Sequence, residues 1–392
     1  MTTLFRPLST FKDVPPASFD GLDQYAPWAP PPGTWPSAAG GAARTGRSAT
    51  PLVHDNWLPL WEAPLGGVGQ PRSLLVGHGR VVVNGAEQRG VRTEDGRALG
   101  SIPDTGGTAL LDLDGGRLLA GASGGMATYT PDAKREASLF LSFSEPSSTR
   151  EILQGPGVFA FLSVERQPHG SPRAEVLAMR VRDYGKIKND ILYGVEPLAG
   201  ITRSEDDSVV AAAGRTGPVI ATDAGVLWCD WQLRPLHESL GTGTPWAISV
   251  DDQERTHVIV NDNFQTRLRI IPPGGKPIVD LALPSSEYNY SGPPIIAAAG
   301  QVYLTPPGSL LAISPDGRIL WQQTRTSDAR GSVSANGLLL VATDTVDAVT
   351  AEGRHLILWH PPARIVAGPV LAGDRIYVAS AEKLYALRPP AP

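Results

Sequence analysis

Apolar, β-rich triplets recur along the chain at nearly even spacing: Val81-Val82-Val83, Leu118-Leu119-Ala120, Val158-Phe159-Ala160, Val209-Val210-Ala211, Val258-Ile259-Val260, Val302-Tyr303-Leu304, Leu338-Leu339-Leu340 and Ile376-Tyr377-Val378. Successive starts lie 37, 40, 51, 49, 44, 36 and 38 residues apart, enough for four short strands and their turns. Ahead of each triplet runs an apolar segment that ends in a turn, as in Ser73 to Gly79, Pro294 to Gly300 and Gly368 to Asp374. After it come a third strand and a tight turn, clearest at Asp95-Gly96-Arg97, Asp316-Gly317-Arg318 and Glu352-Gly353-Arg354, where Gly supplies the positive φ of a short hairpin. A fourth strand follows, ending in Leu-Trp at Trp228, Trp321 and Trp359. The longer intervals read as loop insertions in units three to five. No 3.6-residue period competes over more than a few residues.

The two ends complement one another. The last unit, Ile365 to Arg388, stops one strand short, and Trp57 to Glu62 carries the same Leu-Trp signature far upstream. The expected fold is therefore all-β: an eight-bladed β-propeller of four-stranded antiparallel blades, its ring closed by an N-terminal strand that completes the last blade. Residues 57–392 form the propeller and residues 1–56 a Pro-rich strap or linker. Ala26 to Pro36 is too rich in Pro for regular helix or central strand. Trp28 and Trp35 favour a strap held across the propeller, while use as a docking peptide for another protein stays open.

Composition agrees with short segments, since 43 Gly and 37 Pro make about one residue in five of 392. The net charge of −5 offers no counterion-release drive toward nucleic acid or anionic membrane, and no apolar run reaches 18 residues. A protein partner is expected, with no nucleic acid and no membrane insertion. The N-terminus shows no basic region followed by an apolar one, so the expected location is cytoplasmic. Cys229 is the sole cysteine, which excludes an intrachain disulfide, a Cys-rich zinc site and a haem attachment motif.

No catalytic, cofactor or metal residues emerge. None of the seven His residues is spaced as a metal pair, and the run Gly121 to Gly125 precedes a strand rather than the helix a phosphate loop needs, so it reads as a hairpin. The acidic runs Glu205-Asp206-Asp207 and Asp251 to Glu254 read as solvated turns between first and second strands. In a propeller, second-to-third turns and blade-to-blade connections share one face. Glu165 to Arg173, Cys229 to Trp246 and Pro284 to Pro293 read as lengthening that face. They carry anchor-type side chains, and the candidate partner-binding residues are Arg166, Arg173, Trp231, Arg234, His237, Trp246, Tyr288 and Tyr290, with Arg364 reaching the same face.

Gln301-Val302-Tyr303-Leu304 with Leu311 to Trp321, and Arg375-Ile376-Tyr377-Val378 with Leu384-Tyr385-Ala386-Leu387, resemble the repeats of the quinoprotein-like (PQQ-repeat) eight-bladed β-propeller family. Trp35-Pro36 followed by Ala43-Arg44-Thr45-Gly46 is similar to the lead-in that often precedes its first blade. In its dehydrogenases the resemblance implies pyrroloquinoline quinone and calcium in the central funnel, with an adjacent-cysteine disulfide in the alcohol-oxidising ones. A chain with one cysteine is closer in character to the non-catalytic binding members, and no cofactor is expected. The expected role is a protein-binding, WD-like scaffold or sensor subunit of a bacterial-type multi-component assembly. The alternative is a propeller lyase or hydrolase acting on a glycan or cyclic peptide, with a funnel His such as His237 or His360 as base. A third option, kinship with the periplasmic propeller of the outer-membrane assembly machinery, requires an export signal.

Overall fold

Short strands separated by Gly-containing turns leave no room for helices, and among the described residues there is none. A computed structural model describes residues 6–7, 27, 30–103, 109–111, 116–122, 125–140, 147–155, 158–165, 173–181, 187–188, 191–192, 195–204, 209–241, 243–284, 292–325 and 330–390. Their strands fall into eight sheets, numbered here in chain order from Pro71, each built on four consecutive antiparallel strands or their equivalent. Sheet 1 runs Pro71–Gly77, Arg80–Gly85, Gln88–Thr93, Ala98–Pro103. Sheet 8 joins the chain ends: Ile365–Ala372, Arg375–Ser380 and Lys383–Arg388 are completed by Leu58–Pro64, with Leu58 opposite Arg388 and Pro64 opposite Lys383.

First strands pack against first strands in sheets 3 and 4, 4 and 5, 6 and 7, 7 and 8, and again 8 and 1. Burial follows this order. The second strand of sheet 7, Leu339–Ala342, is buried throughout, whereas the fourth strand of sheet 6, Ile319–Thr324, is largely exposed. Between sheets 8 and 1, Tyr377, Ala379 and Leu384 close on Leu74, Val76, Val81 and Val83. This is a propeller arrangement, with each sheet burying its faces against its neighbours.

Fourth-strand tryptophans link the sheets at the rim. Trp61 Nε1 donates to Glu94 O at 2.7 Å and Trp321 Nε1 to Ala351 O at 2.8 Å, both acceptors lying in the next sheet's third-to-fourth turn. Gly96, at φ +89°, serves twice, since a Cβ there would stand 2.9 Å from the Trp61 ring. The same turns carry a Ser or Thr that the sequence reading passed over. Thr93, Thr130 and Ser314 each accept the backbone N–H four residues on, all at 3.0 Å.

One unit departs from expectation. Val209-Val210-Ala211 overlaps Val210–Ala213, the first strand of sheet 4, and the second strand is Pro218–Thr222. Trp228 accordingly lies in the third strand, Gly225–Cys229. Both leading strands are short, apolar and almost wholly buried, so spacing alone cannot order them. Counted from Val219, the preceding interval is 61 residues and the following one 39, which puts the extra length in a single unit. It falls between Arg173–Val181 and Val195–Ser204 of sheet 3. Part of it, Ile187–Lys188 and Ile191–Leu192, forms a hairpin beside sheet 2, with Ile191 opposite Ser138.

The N-terminal segment runs along the first strands of successive sheets. Trp35 exchanges backbone hydrogen bonds with Val76 of sheet 1 at 2.6 and 2.8 Å. Beyond it, Ala42 O accepts from Ala213 N of sheet 4, Ala43 O from Val250 N of sheet 5, Thr45 O from Ile296 N of sheet 6 and Gly46 O from Val333 N of sheet 7. Ser48 Oγ donates to Leu371 O of sheet 8 at 2.7 Å, and Arg44 pairs with Glu151 of sheet 3. The segment thus touches seven sheets in turn, near the ends of their first strands. Small residues are required there: a Cβ on Gly41 would sit 2.3 Å from Pro27 O. Trp28 lies outside the described residues.

Candidate functional site

Hairpin topology gives each sheet two ends. One carries the second-to-third turns and the connections from a fourth strand to the next first strand; the other carries the remaining turns. On the first end stand Trp246 in the first strand of sheet 5 and Arg364, exposed, just ahead of Ile365–Ala372. Arg173 opens the third strand of sheet 3, opposite Glu165 and Ser204. Arg166, Tyr288 and Tyr290 lie outside the described residues.

Trp231 and Arg234 do not belong to this face. Cys229 to Trp246 is not one loop, because the fourth strand Pro235–Leu240 passes through it. Trp231 and Arg234 occupy the third-to-fourth turn at the opposite end. Trp231 is fully buried (0% exposed), its Nε1 donating to Arg215 O at 3.2 Å, and Arg234 is held by Asp230 at 2.6 Å. His237 is exposed on the outermost strand, opposite Trp228 and beside Gly274 of the next sheet, and His360 follows the outermost strand of sheet 7. Neither is among the residues that line the cavity beside Trp35, Arg72 and Arg330.

Two apolar side chains on the first end escaped sequence reasoning. The hairpin joining Thr256–Asp262 to Gln265–Ile271 turns through Asn263 at φ +51° and Phe264 at φ +65°. Both central residues of such a turn need positive φ, so Gly is the usual second residue. Phe there is strained, and it is 81% exposed. Leu240, 68% exposed, ends the fourth strand of sheet 4. Trp246, 47% exposed, is the bulged residue between the pairs Pro245–Val260 and Ala247–Ile259, a device that re-aims a side chain. The signal available in the sequence was Asn-Phe where a hairpin calls for Asn-Gly. The support beneath is ionic: Arg269 pairs with Asp280 at 3.1 Å and with Asp262, and donates to Gly241 O at 3.3 Å.

At the opposite end, Asp251 is not a solvated turn residue. It is buried, and its carboxylate accepts from Arg255 Nε at 2.7 Å, His257 Nε2 at 2.9 Å and the backbone N–H groups of Gln253 and Arg255. Burial pushes its pKa up, but hydrogen bonds from His257 and Arg255 and the attraction of His257 outweigh that and hold it below the usual aspartate range. A depressed folded-state pKa stabilises above the unfolded value of about 3.9, and that contribution is lost as pH falls through the lower folded value. Asp251→Asn is therefore expected to destabilise by about 3–5 kcal/mol at pH 7, and by clearly less at pH 3, in urea unfolding. An equal loss at both pH values would contradict the assignment. The other acidic run, Glu205 to Asp207, lies outside the described residues. Burial pushes the Cys229 thiol up, away from thiolate chemistry. Among the described residues no cluster of His, Cys, Asp and Glu is arranged to hold a metal, and no helix is long and apolar enough to cross a membrane.

No family model and no curated protein matches the chain. Solved structures do. BamB from Moraxella catarrhalis is 12% identical, with a TM-score of 0.56 over 85% of this chain and 97% of that one. BBS1N, solved in complex with ARL6DN, is 12% identical at TM-score 0.50, over 86% and 98%. A streptogramin B lyase lies further off at 12% identity and TM-score 0.46, over 85% and 98%. At such identities what is shared is the fold, an all-β propeller.

Proposed function

We propose that the chain is a protein-binding propeller, a scaffold or sensor subunit of a multi-component assembly, that works through the end bearing Leu240, Trp246 and Phe264. In this reading the eight sheets are eight blades of one closed ring, residues 57–392, supported by the packing of sheet 8 on sheet 1 and the sharing of sheet 8 between both chain ends. Residues 1–56 act in cis, supported by the hydrogen bonds of 35–48 along the channel. The proposed location is the cytoplasm. The BBS1N structure, solved with a bound protein, shows that a similar fold serves as a binding module.

The observation that carries the reading is Phe264. A bulky aromatic held at positive φ costs about 1–2 kcal/mol, and its exposed ring returns none of that through packing. Cost without a structural return is the mark of a residue kept for function. Phe264→Gly is expected to raise stability by about 1 kcal/mol while weakening partner capture, and the Trp246→Ala, Phe264→Gly pair to abolish capture from the native host. Tandem purification with mass spectrometry checks this. Undiminished recovery by the double variant rejects the proposed face.

A further inference from the structure

On the same end, the axis opens into a funnel of about 90 Å³ whose floor and wall include Trp35 and Ala39 of the N-terminal segment. Arg72 and Arg330 line it, and among the described residues no carboxylate does. Neither arginine makes an ion pair or hydrogen bond among the described residues, although the protein is net negative and its arginines elsewhere are commonly paired, as in Arg255 with Asp251 and Arg267 with Asp280. Arg72 is the bulged residue between the pairs Pro71–Gly85 and Ser73–Asn84, and Arg330 opens the first strand of sheet 7. Sheet 8 lies between them and contributes Gly368 and Pro369 to the funnel wall. A Cβ on Gly368 would stand 2.7 Å from Tyr377 O, so the step stays free of a longer side chain. Trp35, 2% exposed, has an indole N–H with no acceptor among the described residues.

We infer that this funnel takes a single carboxylate side chain from an acidic segment of the protein partner, clasped between Arg72 and Arg330. The inference rests on the protein-binding reading. Size narrows the source: at about 10–15 Å³ per water the space holds roughly six to nine waters, under the roughly 300 Å³ at which pockets for whole small-molecule ligands begin, and it admits the end of one Asp or Glu. Charge selects the chemistry. Two guanidiniums at a concave mouth focus an attractive potential on an anion, and each can bind a carboxylate through two parallel hydrogen bonds.

The test uses the full chain and a fluorescein-labelled hexaglutamate peptide followed by anisotropy, with hexaglutamine as the uncharged control. Hexaglutamate is expected to bind at least tenfold more tightly than hexaglutamine. The Arg72→Gln, Arg330→Gln variant is expected to lose at least tenfold in hexaglutamate affinity at an unchanged melting temperature, as both side chains are exposed. Equal binding by the variant, or by hexaglutamine, overturns the inference. Free glutarate binding as tightly as the peptide also overturns it, because the funnel is then a small-anion site. Partner capture separates the two readings. If the arginine variant captures the partner normally and the Trp246→Ala, Phe264→Gly variant does not, only the carboxylate anchor fails; if both capture it normally, the protein-binding face fails as well.

Discussion

A chain shortened to begin at residue 65 is expected to lose its cooperative thermal transition altogether. The deletion strips Lys383–Arg388 of its outer neighbour and removes the segment bonded along the first strands. Five buried backbone donors, on Val76, Ala213, Val250, Ile296 and Val333, lose their acceptors on Trp35, Ala42, Ala43, Thr45 and Gly46. At about 1–3 kcal/mol for each unsatisfied buried group the cost is roughly 5–15 kcal/mol, less whatever entering water returns. That is the entire stability of an ordinary domain. A second chain, in which residues 57–64 are moved to follow residue 390, separates the two losses. It restores sheet 8 but not the segment along the first strands, and it is expected to melt cooperatively at a lower temperature than the whole protein. Differential scanning calorimetry of the three chains decides. A cooperative transition of unchanged midpoint in the first chain would show that the segment is ornamental.

Trp231→Ala is expected to destabilise the protein by about 3–5 kcal/mol, the usual loss for a buried tryptophan. For a chain of 392 residues that corresponds to a melting temperature lower by about 5 °C. The ring is wedged between sheets: a Cβ on Gly155, at the end of the first strand of sheet 3, would stand only 2.6 Å from it. An exposed anchor on a working face gives the opposite pattern, with stability kept and binding lost. Trp246→Ala is expected to show that pattern, so the pair of variants distinguishes a packing tryptophan from a contact tryptophan in one experiment. Equal melting temperatures for wild type and Trp231→Ala would mean the ring is not packed as described.

The repeat was legible because its signals are local. Turn glycines such as Gly96 and Gly317, with positive φ, and the apolar triplets mark hairpins wherever they fall. The complementary ends were legible for the same reason, since Leu58–Pro64 and Lys383–Arg388 each carry their own strand pattern. The slip at sheet 4 came from two apolar runs of equal claim, and it misplaced Trp228, Trp231 and Arg234 together. The bonding of Asp230 to the backbone of Gln232 and Arg234 repeats that of Asp251 to Gln253 and Arg255, so Asp-x-x-x-Arg was a turn signal open to reading. The route of residues 35–48 was less legible because main-chain groups bond there to main-chain groups far along the sequence. Only the run Ala38-Ala39-Gly40-Gly41-Ala42-Ala43, thin enough for a narrow channel, hinted at it. Phe264 broke a local rule, which is why a reading built on local rules passed over it.

The channel segment also imposes an order on synthesis. It is made before the sheets it contacts, so Ser48 waits 323 residues for Leu371, and Leu58–Pro64 waits for Lys383–Arg388. Contacts so distant in sequence slow folding and leave early segments uncovered until the last are made. Every nascent chain therefore carries an unfinished sheet 8 until Arg388 has been made. The segment then acts as a completion check, since a product truncated anywhere before Leu371 can form neither the Ser48–Leu371 bond nor sheet 8 and is left exposed to chaperones and proteases.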